Sequence, residues 1–492
     1  MIKSINEECG IFGIYTNEIS NYATYSTYYA LYALQHRGQE SCGIAANDRG
    51  VISIKKDIGL VSQVFNTKTL NELGSASMAI GHVRYSTSGA INLANAQPLH
   101  IKHIKGPLVI AHNGNITNAV ELRQKFEENG AIFYGTSDSE IIAYLIAANR
   151  LKLNSIEAAV KESVKTLKGA FSLIIMSAQK LIAVRDMTGF KPLCIGKNKQ
   201  NGAIVFSSES CALSAAQANF VRDVRPGELI TIENGQMHCD TSMCSKKSHL
   251  CVFEYIYFSR PDSTIENISV YDARIEMGRL LAMQNPVEAD VVIGVPFSGL
   301  VAAKGFSLES KIPYCDGFVK NSYIGRSFIE PTKSLRENTI KIKLSVIKSV
   351  VANKRVVVVD DSIVRGSTSK KIVKMLKEAG AKEVHVRISS PEFKHPCYFG
   401  TDVDGTENLI ACKMTTKEIA THIGADSLSY LSVENIKKFK LPESEHFCTG
   451  CFNGVYPDWV PTNLRKNKFE QKIEKTNLIK DKVQKNETKQ QQ

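Results

Sequence analysis

Two groups of residues have the types and spacing to do chemistry. The first lies in Arg355 to Ser369, RVVVVDDSIVRGSTS. Two adjacent carboxylates, Asp360 and Asp361, precede Arg365, Gly366 and the hydroxyls of Ser367, Thr368 and Ser369. Hydroxyls and backbone N–H groups at a helix N-terminus suit a phosphate. Paired aspartates suit the two hydroxyls of a ribose, or Mg²⁺. Taken alone, the Asp pair reads equally well as a helix cap.

The second group gathers around Cys9, which heads CGIFGIY. If MIKSINEE is removed, Cys9 carries both a thiol and a free α-amine. The amine titrates near ~8 and the thiol near ~8.5. One residue then supplies nucleophile and base. An unprocessed core cysteine is the plainer reading of those seven residues. Four later segments favour the chemistry: LQHRGQESCGIA, GHVRYSTSG, AHNGNITN and GTSDSE. Arg37 and Arg84 can grip an α-carboxylate in a two-toothed fashion. Asp138 can hold an α-ammonium, and Asn113 with the Gly114 N–H can form an oxyanion hole. Together these are the needs of glutamine amide hydrolysis.

These residues need elements to hold them. The four valines of Arg355–Ser369 predict a strand buried on both faces, as in a parallel sheet. KKIVKMLKEAGA follows, apolar at Ile372, Val373, Leu376 and Ala379, and stops at Gly380. Strand, loop and helix place the site at the carboxyl end of a parallel strand, where open α/β sheets bind ligands. ADVVIGVPFSGLVAAKGF, Ala289 to Phe306, predicts a second such unit. CGIFGIY reads as a buried strand. ENGQMHCDTSMCSKKSH, Glu233 to His249, reads as a linker or hairpin.

A chain of 492 residues has room for two or three domains. Apolar content of 43% and charged content of 22% are ordinary for a globular protein. No apolar run is long enough to span a bilayer, and MIKSINEE is no secretory signal, so a cytoplasmic location is expected. The net charge of +12 lies partly in a lysine-rich tail after Pro461, so neither nucleic acid nor membrane is expected as a partner. Twelve cysteines in such a chain argue for chemistry or metal rather than disulfides. Cys194, Cys211, Cys315 and Cys412 read as small buried hydrophobes. Cys448 and Cys451 form a C-x-x-C that alone means zinc, redox chemistry or nothing.

The string Arg355–Ser369 closely resembles the phosphoribosyl pyrophosphate (PRPP) signature of type I phosphoribosyltransferases. The stretch from Cys9 to about Glu233 resembles the N-terminal-nucleophile glutaminase domain of class II amidotransferases. CVFEYIYFSRPDS, from Cys251, is similar to the family of glutamine PRPP amidotransferases, which act in purine synthesis. The resemblance implies a leader at 1–8, a four-layer αββα glutaminase at 9–235, a Rossmann-like phosphoribosyltransferase domain at 250–460 and a flexible basic tail at 461–492. It implies that Ser298 joins Asp360 and Asp361 around Mg²⁺. It also implies that Lys320 and Tyr323, in a loop spanning Phe318 to Val346, close over PRPP. Relatives carry an acidic residue where this chain has Phe297, and a proline and an arginine where it has Met187 and Lys191. The last two are expected to lie away from the thiol. Cys251, Cys397, Cys448 and Cys451 match the ligands of a [4Fe–4S] cluster in the branch whose leader ends in Glu-Glu. The reaction implied converts glutamine, PRPP and water to 5-phosphoribosylamine, glutamate and pyrophosphate. Purine nucleotides as inhibitors and a homo-oligomer, tetramer or dimer, come with it. The residues leave open three alternatives: the same two domains with another acceptor, a PRPP-binding regulatory protein, and a lapsed iron–sulfur paralogue.

Overall fold

The computed structural model describes residues 8–85, 92–245, 247–321, 344–401, 403, 405–438 and 447–461. Tyr323, most of the loop before Val346, residues 1–7 and the tail from 462 lie outside them.

Two antiparallel sheets stack in the first half. In one, the strands lie in the order Asn219–Asp223, Cys194–Lys197, Ile204–Ser207, Gly10–Ser20, Ala76–Arg84, Ser41–Asp48, Val51–Ile58. In the other the order is Gln236–Asp240, Leu229–Glu233, Lys180–Arg185, Gly169–Met176, Gly106–Ile116, Leu99–His103. The period-2 geometry of strands explains the layering. Phe12 and Ile14 face the core that contains helix Tyr22–Ala33, while Ile11 faces the core between the sheets. On the opposite sheet Val109 and Ala111 face that same middle core. Leu108 and Ile110 face helices Asp138–Lys152 and Ile156–Thr166 instead. Gly13 lets the sheets approach, since a Cβ there would lie 2.7 Å from Ile174. The result is helix, sheet, sheet, helix. The polar stretch after Glu233 is a hairpin that carries this sheet on to Asp240, beyond the expected boundary at 235.

The second half holds a parallel sheet in the order Val291–Gly294, Arg355–Asp360, Glu383–Ile388, Ser427–Tyr430. Its valines divide between two cores as the sequence predicts. Val356 and Val358 pack with Ile372, Val373 and Leu376 of helix Ser367–Glu378. Val357 and Val359 pack with Met277, Ala302 and Phe306 on the other face. Helices Val270–Gln284 and Gly299–Ser310 touch through glycine on each side. A Cβ on Gly278 would lie 2.0 Å from the Ala302 carbonyl oxygen, and one on Gly305 2.0 Å from that of Ile275. Neither backbone can yield without opening the pair. Gly278→Ala is therefore expected to cost roughly 1–3 kcal/mol of stability, seen as a lower melting temperature of the full chain.

The chain's later part returns to the first domain. Cys251 and Cys448 form an isolated parallel bridge, and the Gly169 N–H donates to Asp458 at 2.9 Å. Thr117 Oγ1 donates to the Trp459 carbonyl at 3.2 Å, and Phe190 stacks on Phe399 at 4.1 Å. Among the described residues, no helix is long and apolar enough to cross a membrane.

Candidate functional site

Cys9 sits just before strand Gly10–Ser20, whose pairing with Ala76–Arg84 aligns Gly10 with Val83. Arg84 and Tyr85 are thereby brought to the thiol. Cys9 Sγ donates to the Tyr85 carbonyl at 3.3 Å. Burial pushes the thiol up to about 11, against the pull of the Tyr85 contact and Arg84, while Glu40 and Asp138 raise it. Arg84 and Asp138 thus stand within electrostatic range of Cys9. Asp138 opens its helix, and its Oδ2 accepts the Ile116 N–H at 2.9 Å. That bond ties it to the strand holding Asn113 and Gly114. The Asn113 side-chain NH₂ is buried without a hydrogen-bond partner among the described residues. An unmatched buried donor is costly unless something else accepts from it. Gly114 has φ +145°, and a Cβ there would lie 2.0 Å from the Ala170 carbonyl oxygen, so only glycine fits.

Arg37 is placed otherwise than expected for a substrate clamp. It is fully buried, and its Nε donates to the Cys9 carbonyl at 3.0 Å. Its Nη groups donate to Glu209 at 2.7 Å and to both oxygens of Glu254 at 2.8 and 2.9 Å. A guanidinium so engaged positions the Cys9 backbone carbonyl. Lys191 is buried, its Nζ donating to the Glu8 carboxylate. Burial raises Glu8 to about 7 even against the pull of Lys191. Glu8, Glu209 and Glu254 around Arg37, and Lys191 on Glu8, were not foreseen from the sequence. The one sequence signal was Glu254, a carboxylate inside the apolar run CVFEYIYF, which must find a partner once buried.

The second site forms at the carboxyl edge of the parallel sheet. Gly299 lets its helix reach the neighbouring strand, since a Cβ there would lie 2.3 Å from the Val359 carbonyl oxygen. Ser298, just before it, donates to Asp361 Oδ1 at 2.6 Å, and Ser362 donates to Oδ2 at 2.5 Å. Burial first, and then Asp361 beside it, push Asp360 well above the usual carboxylate range. Among the described residues neither aspartate has an ion-pair partner. The pair therefore favours a cation or hydroxyl donors, and Ser298, Asp360 and Asp361 together fit an oxygen-ligated Mg²⁺. Gly366, at φ +76°, turns the chain into helix Ser367–Glu378, whose first i→i−4 bond is Lys370 N–H to the Gly366 carbonyl. The N–H groups of Ser367, Thr368 and Ser369 in that first turn have no intrahelical acceptor, as a phosphate cradle requires. Arg365 lies half-buried just before them. Lys320, ending strand Phe318–Lys320, sets its ammonium 4.0 Å over the ring of Phe297.

The four cysteines converge from distant segments. Burial pushes Cys448 up to about 12, and it raises Cys251 and Cys451 well above the ordinary thiol range. Cys397, Cys251 and Cys448 each add to the shift of Cys451. No group of three or more His, Cys, Asp or Glu among the described residues could hold a single metal ion. Cys251, Cys397, Cys448 and Cys451 together are a soft donor set suited to a cationic iron–sulfur core.

Residues 82–215 match the glutamine amidotransferase domain family, and residues 278–390 match the phosphoribosyl transferase domain family. The chain is 48% identical to the amidophosphoribosyltransferase of Methanocaldococcus jannaschii, over 92% of this chain and 98% of that one. It is 45% identical to that of Bacillus subtilis, over 93% and 95%. Among solved structures, one described as the allosteric regulatory enzyme of purine biosynthesis superposes with a TM-score of 0.87 at 43% identity, covering 94% of this chain and 99% of that chain. The glutamine PRPP amidotransferase of B. subtilis, complexed with ADP and GMP, superposes at 0.85 and 44% identity, covering 93% and 99%. Two domain families in this order, with full-length relatives at such identity, leave one assignment: the chain belongs to the amidophosphoribosyltransferase family.

Proposed function

We infer that this protein hydrolyses glutamine at Cys9 and passes the ammonia to C1 of PRPP, giving 5-phosphoribosylamine, glutamate and pyrophosphate, a step of purine synthesis. The observation that carries this reading is one packed chain with two sites: a buried thiol flanked by Arg84 and Asp138, and an aspartate pair leading into an open helix N-terminus.

Arg84 takes the glutamine α-carboxylate and Asp138 the α-ammonium. Cys9 Sγ attacks the side-chain amide carbon, and its proton passes to the α-amine that leader removal frees. The oxyanion is held by the orphaned Asn113 NH₂ and the Gly114 N–H. The amine returns the proton to the departing nitrogen, ammonia leaves, and water releases glutamate. At the second site Asp360 and Asp361 orient the ribose, while Ser367, Thr368, Ser369 and Arg365 hold the 5-phosphate. Lys320 is assigned to the pyrophosphate; Tyr323, assigned with it, lies outside the described residues. Ammonia attacks C1 as pyrophosphate leaves, and no protein nucleophile is needed. Mg²⁺, held by Ser298, Asp360 and Asp361, would supply charge neutralisation for the pyrophosphate.

The finer proposals follow from the same residues. Cys251, Cys397, Cys448 and Cys451 hold a [4Fe–4S] cluster that staples the chain's later part to the start of the second domain, and MIKSINEE is cut off before Cys9. The protein works in the cytoplasm as a homo-oligomer under purine nucleotide control. Purified mature protein kept from air is expected to begin at Cys9, to absorb broadly in the visible and to contain iron and sulfide in equal amounts. A colourless, fully active protein starting at Met1 would overturn both proposals. The overall reaction is tested by following glutamate and pyrophosphate together. One of each per turnover is expected, with ammonium able to replace glutamine. Failure of PRPP to turn over with free ammonia would point to the same two domains serving another acceptor.

A further inference from the structure

We propose that Glu254 and Arg274 are positioning residues for Cys9, linking the state of the PRPP site to the backbone of the glutaminase nucleophile. The proposal rests on the two-site reading above and goes beyond it by naming the contacts that join the sites.

The link can be followed atom by atom. The Cys9 carbonyl is held by Arg37 Nε. The rest of that guanidinium is fixed from both domains, by Glu209 of the first and by both oxygens of Glu254 of the second. Glu209 in turn accepts from the Arg260 N–H at 2.9 Å and from Ser263 at 2.7 Å, both in the second domain. Glu254 begins a single π-helical turn, Glu254–Phe258, and also accepts from Ser259 at 2.6 Å. Such turns are rare and concentrate at functional sites. The turn's carbonyls converge on one side chain. Arg274 of helix Val270–Gln284 donates to Tyr255 O at 2.7 Å, Ser259 O at 2.8 Å and Tyr257 O at 3.0 Å.

Arg274 is buried and, among the described residues, has no carboxylate within ion-pair reach. Burial lowers it to about 10, and the opposing charges that act on it are Asp361 first and Glu209 second. Its helix, Val270–Gln284, packs through Gly278 and Gly305 against helix Gly299–Ser310, and that helix follows Ser298, the donor to Asp361. A ligand that moves Ser298 or Asp361 therefore bears on the helix pair from which Arg274 grips the turn that carries Glu254. The two-toothed Glu254–Arg37 contact passes orientation onward, because it fixes a plane as well as a distance.

The test uses the mature full-length protein and two variants. Glu254→Gln keeps the volume but loses the second acceptor oxygen and the charge. Arg274→Lys keeps the charge but cannot bridge three carbonyls. Glutamine hydrolysis is measured with and without PRPP and Mg²⁺, alongside pyrophosphate release driven by ammonium. In the unmodified protein PRPP is expected to change glutamine hydrolysis by on the order of tenfold or more. In both variants that response should collapse, while the ammonium-driven reaction stays at its original rate. A PRPP response that persists in both variants would overturn the proposal, as would its absence from the unmodified protein. A parallel fall in the ammonium-driven rate would show a merely structural role and overturn it too. Failure of the two-site reading looks different: Cys9→Ala would then still hydrolyse glutamine.

Discussion

Cys9→Ala is expected to lower glutamine-dependent product formation by on the order of 10⁴-fold or more, and to leave the ammonium-dependent reaction intact. The thiol is the group proposed to form the covalent intermediate, and its surroundings make it inert until a base is supplied. In the chain as it stands, burial pushes the thiol up to about 11, so it is protonated at neutral pH. Freeing the α-amine, which titrates near ~8, provides that base. Glutamine hydrolysis should accordingly rise as pH climbs toward the amine's own titration, while a variant that retains residues 1–8 stays inactive at every pH. Alanine also removes no packing of consequence, since Cys9 is only partly enclosed as a residue. Full glutamine activity in Cys9→Ala would end the assignment of the first site.

Asp361→Asn should silence both nitrogen sources together, by roughly 10²–10³-fold, with pyrophosphate release as the readout. The substitution removes one of two charges from a site where burial and mutual repulsion already hold Asp360 far above its ordinary range. The hydroxyls of Ser298 and Ser362, both donating to Asp361, lose their charged acceptor. Ammonium cannot rescue this variant, because the defect lies at the ribose and not at the amide. Paired with Cys9→Ala, it separates the two halves of the reaction. If Asp361→Asn kept its ammonium-driven rate, the aspartate pair would not be the sugar site.

The elements were legible where one physical solution was available. A run of four valines between polar flanks has to hide both faces, and the two cores on either side of the sheet receive them alternately. CGIFGIY could be placed as a buried strand, and the turn at Gly366 followed from a strand running into an amphipathic helix. Side-chain partners across the chain were a different matter. The sequence reads both Arg37 and Arg84 as lying in glycine-bearing loops and treats them alike, although Arg84 ends strand Ala76–Arg84. What separates them is Glu254, 217 positions away, which captures Arg37 and not Arg84. Nothing in RDMTGFKPL points Lys191 to Glu8, 183 residues earlier. The π-turn left no periodic signature in CVFEYIYF, since five residues are too few to show a period. Composition registers that a charge is buried there; only the folded chain says which guanidinium answers it.

The bonds from Asp458 and Trp459 to the first domain bear on how the protein is made. The amide-handling half emerges first from the ribosome and can assemble its sheets early. Its Gly169 N–H and Thr117 hydroxyl nevertheless wait for acceptors translated almost three hundred and more than three hundred positions later. A nascent chain stalled before then exposes the flank that Phe399 and Cys448 should cover. Release of ammonia-generating halves without their sugar-handling partners would thus be limited by translation itself, Asp458 and Trp459 serving as a completion check on the first domain.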